Sequence, residues 1–316
     1  FEYAALYIGG DTAYEDFLNI IKKHVKKGGR IVIAIENRLG LKYFAGCKED
    51  HTCVFFDGIE NYKDDSHVRT FSKKGLEKIF NKVDITDYHF YFPYPDYKLP
   101  NTVFSEKRLP MLGELRDNIR NFDQDRLLLF NETKAFDGMI EEGMFPDFSN
   151  SFEVIIGPDI NVSYAKYSME RDDKFCVKTR IIDDGLLKKV EKSSVYESGK
   201  EHISNIKKAA DELSKRYKDS DLKINEILDF DEESGKIVFE YVEGNTLETL
   251  LDERVKANDK DGFVKLFEKY KSYVSFNDEY PVSDDDFIFS NVMVNADVWT
   301  LIDFEWVRFE KGNAAE

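Results

Sequence analysis

The run Arg30-Ile31-Val32-Ile33-Ala34-Ile35 constrains this chain more than any other stretch. It is continuous, rich in β-branched residues and apolar on both faces of an extended strand. Such a strand is expected at the centre of a parallel α/β sheet, covered by helices on both sides. It stops at Glu36-Asn37-Arg38, and open α/β sheets place their ligands at the carboxyl ends of their strands. Ahead of it, Asp11-Thr12-Ala13-Tyr14-Glu15 offers a Thr-x-x-Glu capping box. Tyr14, Phe17, Leu18, Ile21 and Val25 then follow at helical spacing, and Gly28-Gly29 ends the segment.

Residues 38 to 70 read as a long aromatic loop, a length that in compact domains goes with function or disorder. Ser72 to Lys82 is predicted as a helix. Ile85 to Phe92 and Thr102 to Phe104 are predicted as strands, joined by Pro93-Tyr94-Pro95-Asp96. Residues 105 to 150 are helical or irregular. The turn-rich Gly157-Pro158-Asp159 marks a domain junction there or slightly before, giving domains 1–150 and 151–316. The texture then changes. Val162 to Met169, Phe175 to Ile181 and Leu186 to Lys192 read as successive strands. Ile203, Ile206, Ala209, Ala210, Leu213 and Tyr217 line one face of a long helix. Ile224 to Phe230 and Lys236 to Val242 form a hairpin, and helices follow at Thr246 to Arg254 and Phe263 to Phe276.

At 316 residues the chain has room for about two domains. Its 45 basic and 62 acidic residues leave a net charge of −17, which disfavours nucleic acid and anionic membrane surfaces as partners. Ile31 to Ile35 is far shorter than the roughly 20 residues a bilayer span needs. Three cysteines without CxxC spacing imply neither a disulfide framework nor a zinc site, so a cytoplasmic location is expected. No signal-peptide pattern stands at Phe1, and the start without Met reads as trimmed.

The chemistry concentrates near the end. Asp286 and Asn291 stand five apart, and Val292-Met293-Val294 and Thr300 to Trp306, which holds Asp303-Phe304-Glu305, read as a pair of short strands. Phosphoryl transfer needs hard oxygen ligands for the metal ions that neutralise the phosphates. Asn291 and Asp303 can supply them from two sides of a hairpin, and Asp286 can accept the proton of an attacking hydroxyl. This pattern, behind five strands and a helix, resembles the kinase-like superfamily of small-molecule and sugar phosphotransferases. The resemblance implies ATP and Mg²⁺. It also implies a strand lysine, for which Lys192 is favoured over Lys178, paired with Glu197 or Glu201. The adenine would lie on the backbone from Glu240 through Val242 to Glu243. No His-x-Asp precedes the loop, where Asp284-Asp285-Asp286 stands instead. No Gly-rich loop is visible, so Ser168 to Asp173 with Arg171 would cradle the phosphates. The chain ends shortly past Trp306, which would leave the larger kinase lobe truncated.

The first half carries a resemblance of its own. Phe1-Glu2-Tyr3-Ala4, Gly28-Gly29 with the strand through Leu39-Gly40, and Arg69-Thr70-Phe71-Ser72 with Lys73-Lys74-Gly75-Leu76 look like the back end of a class I S-adenosylmethionine-dependent methyltransferase. In that class an antiparallel final pair closes the sheet, here expected at Tyr88 to Phe92 and Thr102 to Phe104. Only Phe1, Glu2 and Tyr3 would touch S-adenosylmethionine. The stretch holding Asn37, Tyr43 and His51 would face the acceptor; a packed aromatic loop is the alternative.

The expected fold class is therefore α/β. A partial, Rossmann-like methyltransferase sheet would precede a truncated kinase-like α+β domain. The domain order resembles bifunctional enzymes that cap bacterial surface polysaccharides, implying a small-molecule or glycan acceptor. The alternative is a methyltransferase with a non-catalytic, scaffolding pseudokinase domain. Oligomeric state stays open.

Overall fold

Two apolar cores form, one in each of the compact units Phe1–Tyr167 and Ser168–Glu316. The computed structural model describes residues 1–63, 68–115 and 124–312. The helices of the first unit are α1 (Ala4–Ile8), α2 (Ala13–Lys22), α3 (Leu41–Phe44), α4 (Lys73–Lys82), α5 (Glu132–Glu141) and α6 (Phe145–Phe148). Its strands are β1 (Ile31–Glu36), β2 (Tyr88–Tyr94), β3 (Thr102–Ser105), β4 (Ser151–Ile156) and β5 (Val162–Ser168). They lie in the order β1-β4-β2-β3-β5, with every neighbouring pair antiparallel.

That order corrects one expectation. β1 is not a central parallel strand. Among the described residues it pairs only with β4, antiparallel, and Val32 is 56% exposed while Ile33 and Ile35 are buried. The physical reason is a competing segment, Phe152-Glu153-Val154-Ile155-Ile156, which is as apolar as β1 and takes the position between β1 and β2. The expected antiparallel pairing of Tyr88–Phe92 with Thr102–Phe104 does form, as β2 and β3. The two compact units divide at Tyr167/Ser168, with β4 and most of β5 built into the first sheet.

The helices of this unit follow from local chemistry in one case and not in another. Ser72 caps α4, its Oγ accepting from the Gly75 amide, and Leu76, Ile79 and Phe80 face the core. Thr12 does not cap α2: its hydroxyl donates to Asp16 Oδ2 at 2.9 Å, so the expected capping box is not formed. Phe90, Phe92, Phe104, Phe136, Phe145 and Phe152 meet mostly edge to face and fill the centre.

In the second unit the strands are β6 (Val177–Asp183), β7 (Lys188–Ser194), β8 (Leu222–Ile224), β9 (Ile227–Asp231), β10 (Lys236–Glu240), β11 (Asn245–Thr246), β12 (Ser283–Asp284), β13 (Val292–Asn295), β14 (Val298–Leu301) and β15 (Val307–Arg308). The helices are α7 (Lys200–Arg216), α8 (Leu247–Lys256) and α9 (Lys260–Val274). An antiparallel sheet runs β6-β7-β10-β9. A smaller one runs β11-β13-β14-β8, with β14 and β8 parallel. α7 packs Ile203, Ile206, Ala210 and Leu213 into one core with Val177, Ile237, Phe239, Leu301 and Phe304. Each such fully buried aliphatic side chain contributes roughly 1.5–3 kcal/mol over exposure. The chain thus mixes helices with largely antiparallel sheets, and no helix of the described residues is long and apolar enough to cross a membrane.

Candidate functional site

One buried ammonium group anchors the second unit. Lys192 lies on β7 opposite Ile237 and is 5% exposed. Its Nζ donates to Asp303 Oδ1 at 2.7 Å and to Glu305 Oε1 at 2.6 Å. Burial works against that charge, but the two carboxylates overcome it and hold the ammonium above the ordinary lysine range.

Two short pairings bring the remaining groups to this point. Asn291 immediately precedes β13 and Ile302 follows β14. The register Val292↔Leu301 therefore sets both ends side by side, and the Ile302 amide donates to the Asn291 carbonyl at 2.9 Å. Asn291 Nδ2 donates to the Asp286 carbonyl at 2.9 Å, which leaves Oδ1 as the acceptor of that amide. β12 pairs with β15, and the Asp285 amide donates to the Trp306 carbonyl at 3.1 Å. Asp286 thereby comes within the field of Asp303 and Glu305. Burial raises its carboxyl and these two negative neighbours raise it further, against Lys192 and Arg171, up to about 6.

Glu305 closes the cluster. Its Oε2 accepts from Arg171 at 2.7 Å and lies 3.8 Å from His202 Nε2. Burial raises its carboxyl, but the Lys192 charge and the bonds from Lys192 and Arg171 outweigh that and hold it far below the usual range. This corrects the expected partners of Lys192. The Glu197 side chain is 85% exposed and pairs with Lys200, and Glu201 is exposed on α7. α7 reaches the cluster through His202 instead, whose ring meets Phe175 and Trp306 at 5.2 and 5.4 Å. The reason is spacing: a carboxylate two residues past Asp303 reaches Lys192 alongside it. Glu240 ends β10 with its amide bonded to the Glu226 carbonyl at 2.9 Å, and half-buried Val242 lies in the link to β11.

Next to the loop lies a cavity of about 420 Å³ lined in part by Arg216, Tyr217, Ser283, Asp284 and Asp285. Burial pushes the Asp284 carboxyl well up, and its Oδ1 accepts from the Asp286 amide at 2.9 Å. Among the described residues no group of three or more His, Cys, Asp or Glu side chains could hold a metal. Asn291 and Asp303 fit Mg²⁺ only in a ligand set completed by phosphate oxygens and water, the way that ion is usually held.

The first unit gathers a second set of polar groups at the carboxyl end of β1. Glu36 is 1% exposed. Its Oε1 takes Lys98 Nζ at 2.7 Å and the Tyr97 hydroxyl at 3.3 Å. Lys98 also bonds Asp50 Oδ1 at 2.8 Å, while buried Lys42 lies 3.1 Å from both Asp50 Oδ2 and Asp96 Oδ2. Burial raises the Asp50 carboxyl, but Lys42, Lys98 and the Tyr43 hydroxyl reverse that and bring it to about 2. Of the expected acceptor residues, His51 and Tyr43 belong here: Tyr43 donates to Asp50, and His51 Nε2 lies 3.9 Å from Glu36 Oε2. Tyr3 joins them, its hydroxyl sharing a 3.2 Å hydrogen bond with His51 Nδ1. Asn37 does not; its Nδ2 donates to the Asp147 and Ser149 carbonyls at 2.8 Å, a fully buried structural role. Glu2 accepts the Tyr14 hydroxyl on its backbone carbonyl at 3.3 Å.

Sequence reasoning named the edge where β1 stops at Glu36 but missed Asp96, Tyr97 and Lys98 as its other occupants. Their contacts span 48 to 61 residues, and only the Pro95-Asp96 turn marks the second segment. No family model matches the chain, and no curated protein matches it.

Proposed function

We propose that the second unit is a Mg²⁺- and ATP-dependent phosphotransferase site acting on a hydroxyl-bearing acceptor such as a sugar. The observation that carries this reading is the Lys192–Asp303–Glu305 ion triad, with Asp286 and Asn291 held at the same hairpin end. Lys192 and Glu305 are buried while the Asp303 side chain stays 32% exposed, so the triad opens to solvent at the carboxylate that would meet a metal. Bound Mg²⁺·ATP would supply the phosphoryl group and neutralise its charge. Asp303 and the Asn291 amide oxygen would hold the metal, and Lys192 and Arg171 would orient the phosphates. The backbone from Glu240 to Glu243 would carry the base. Asp286 would take the proton as the acceptor oxygen bonds to phosphorus and the bond to the leaving diphosphate breaks.

For the first unit we retain methyl transfer as the accompanying reading. It is supported by β1 and β2 running in the same direction on either side of the antiparallel β4. Glu2 and Tyr3 offer S-adenosylmethionine too few contacts to place it, since the Tyr3 hydroxyl is engaged by His51.

A thermal-shift titration tests the phosphotransfer reading. Mg²⁺·ATP at a hundredfold excess over its dissociation constant should stabilise the folded chain by about 2.7 kcal/mol. Asp303→Ala should abolish the shift. No shift in the unmodified chain ends the reading. Binding without phosphate transfer to any sugar assigns the unit a scaffolding role instead.

A further inference from the structure

Glu36 carries an unexplained atom. The side chain is 1% exposed, its Oε1 is bonded twice, and its Oε2 is covered from solvent with no hydrogen-bond partner. A buried carboxylate oxygen without a donor is costly, and native structures keep such groups where a ligand completes them. The facing atom is in the same condition: His51 Nε2 is also covered and unpartnered, and it lies 3.9 Å from Oε2. That gap is too long for a direct hydrogen bond, and one oxygen at about 2.8 Å from each could bridge it once a covering side chain moves aside, since both atoms are closed to solvent as they stand.

The surroundings fix what can bridge. Glu49 holds the loop that presents His51, its Oε2 accepting from the His51 and Thr52 amides at 2.7 and 2.6 Å. In the tautomer where the Tyr3 hydroxyl donates to Nδ1, the ring proton sits on Nε2, on the Glu36 side. A hydroxyl group then satisfies both atoms, accepting from Nε2–H and donating to Oε2. An anion is repelled by the carboxylate, and an aliphatic group leaves both atoms unsatisfied. The rim suits a sugar: Tyr3 is 43% exposed, the Lys98 side chain is 39% exposed, and Tyr97 lies beside Glu36.

We propose that Glu36 and His51 form a binding niche for a sugar hydroxyl at the carboxyl end of β1. A ligand enters it by displacing the exposed Lys98 side chain, whose Nζ covers the Oε1 side of Glu36. The niche stands on the first unit alone and needs neither the phosphotransfer nor the methyl-transfer reading.

The test is saturation-transfer NMR on the full chain with methyl glycosides of glucose, mannose and galactose, one at a time. At least one should give a transfer signal that falls about tenfold or more in Glu36→Gln and in His51→Asn. Thermal midpoints run alongside. They serve as a folding control, because Glu36→Gln also removes the charge that pairs with Lys98. Two results overturn the niche: no signal from any glycoside, or a signal that persists in either folded variant. If His51→Asn loses the signal only by unfolding, Tyr3→Phe decides. It removes only the hydroxyl that sets the His51 tautomer, and an unchanged signal there sinks the proposal.

Discussion

Lys192 and Asp286 show what single residues contribute to this fold. Lys192→Met removes the one cation between buried Glu305 and the 32%-exposed Asp303, so the loss should not exceed the roughly 3–5 kcal/mol of breaking a fully buried pair from one side. Urea unfolding should report that loss, and Asp303→Asn in the Lys192→Met background should recover part of it. Asp286 works in the opposite sense. Its carboxyl titrates at about 6 in the folded chain, above the ordinary carboxylate value near 4. Between these values the folded chain keeps a proton that the unfolded chain has released. The stability from this group is present below about pH 4 and lost as pH rises through about 6. Without nucleotide, Asp286→Asn should therefore be more stable than wild type at pH 7.5, and the two should converge near pH 4. Equal stabilities at both pH values would show that Asp303 and Glu305 do not act on Asp286.

At the scale of elements, the same sequence signals succeeded or failed according to whether the deciding contact was local. Ser72 caps α4 through an amide three residues on, so Ser72→Ala should cost about 1 kcal/mol. Thr12, the residue that heads the expected capping box, bonds Asp16 instead, and Thr12→Ala should stay within about 0.5 kcal/mol of wild type. Chemical denaturation of the two variants side by side separates these outcomes. β1 makes the same point for strands. Ile35 is fully buried and Val32 is 56% exposed, so Ile35→Ala should cost about 2–5 kcal/mol and Val32→Ala far less. Comparable losses would put β1 back in the middle of a sheet. Its composition could not separate the two positions, because the strand that displaced it lies more than a hundred residues on.

At the scale of the molecule, each unit has its own core and its own polar cluster. Hydrogen exchange with and without Mg²⁺·ATP should show protection in Lys188–Ser194 and in the Asp286–Glu305 segment, and none in Phe1–Tyr167. Protection confined to the first unit would place nucleotide at the Glu36 cluster and contradict the assignment. The net charge of −17 adds that neither unit should bind DNA or RNA at physiological salt.

The sequence by itself determined what short-range chemistry controls. It located β7, α7 and the hairpin carrying Asn291 and Asp303, because periodicity and turn residues act within a few residues, while Lys192 was expected through the kinase-like resemblance. Tertiary structure alone decided which carboxylate Lys192 meets, which strand lies beside β1, and that Glu36, His51 and Lys98 share one niche. Those outcomes depend on competition among distant segments for the same buried partner. A charge leaving water takes whichever counter-charge the packed chain brings nearest, and no local pattern records that choice.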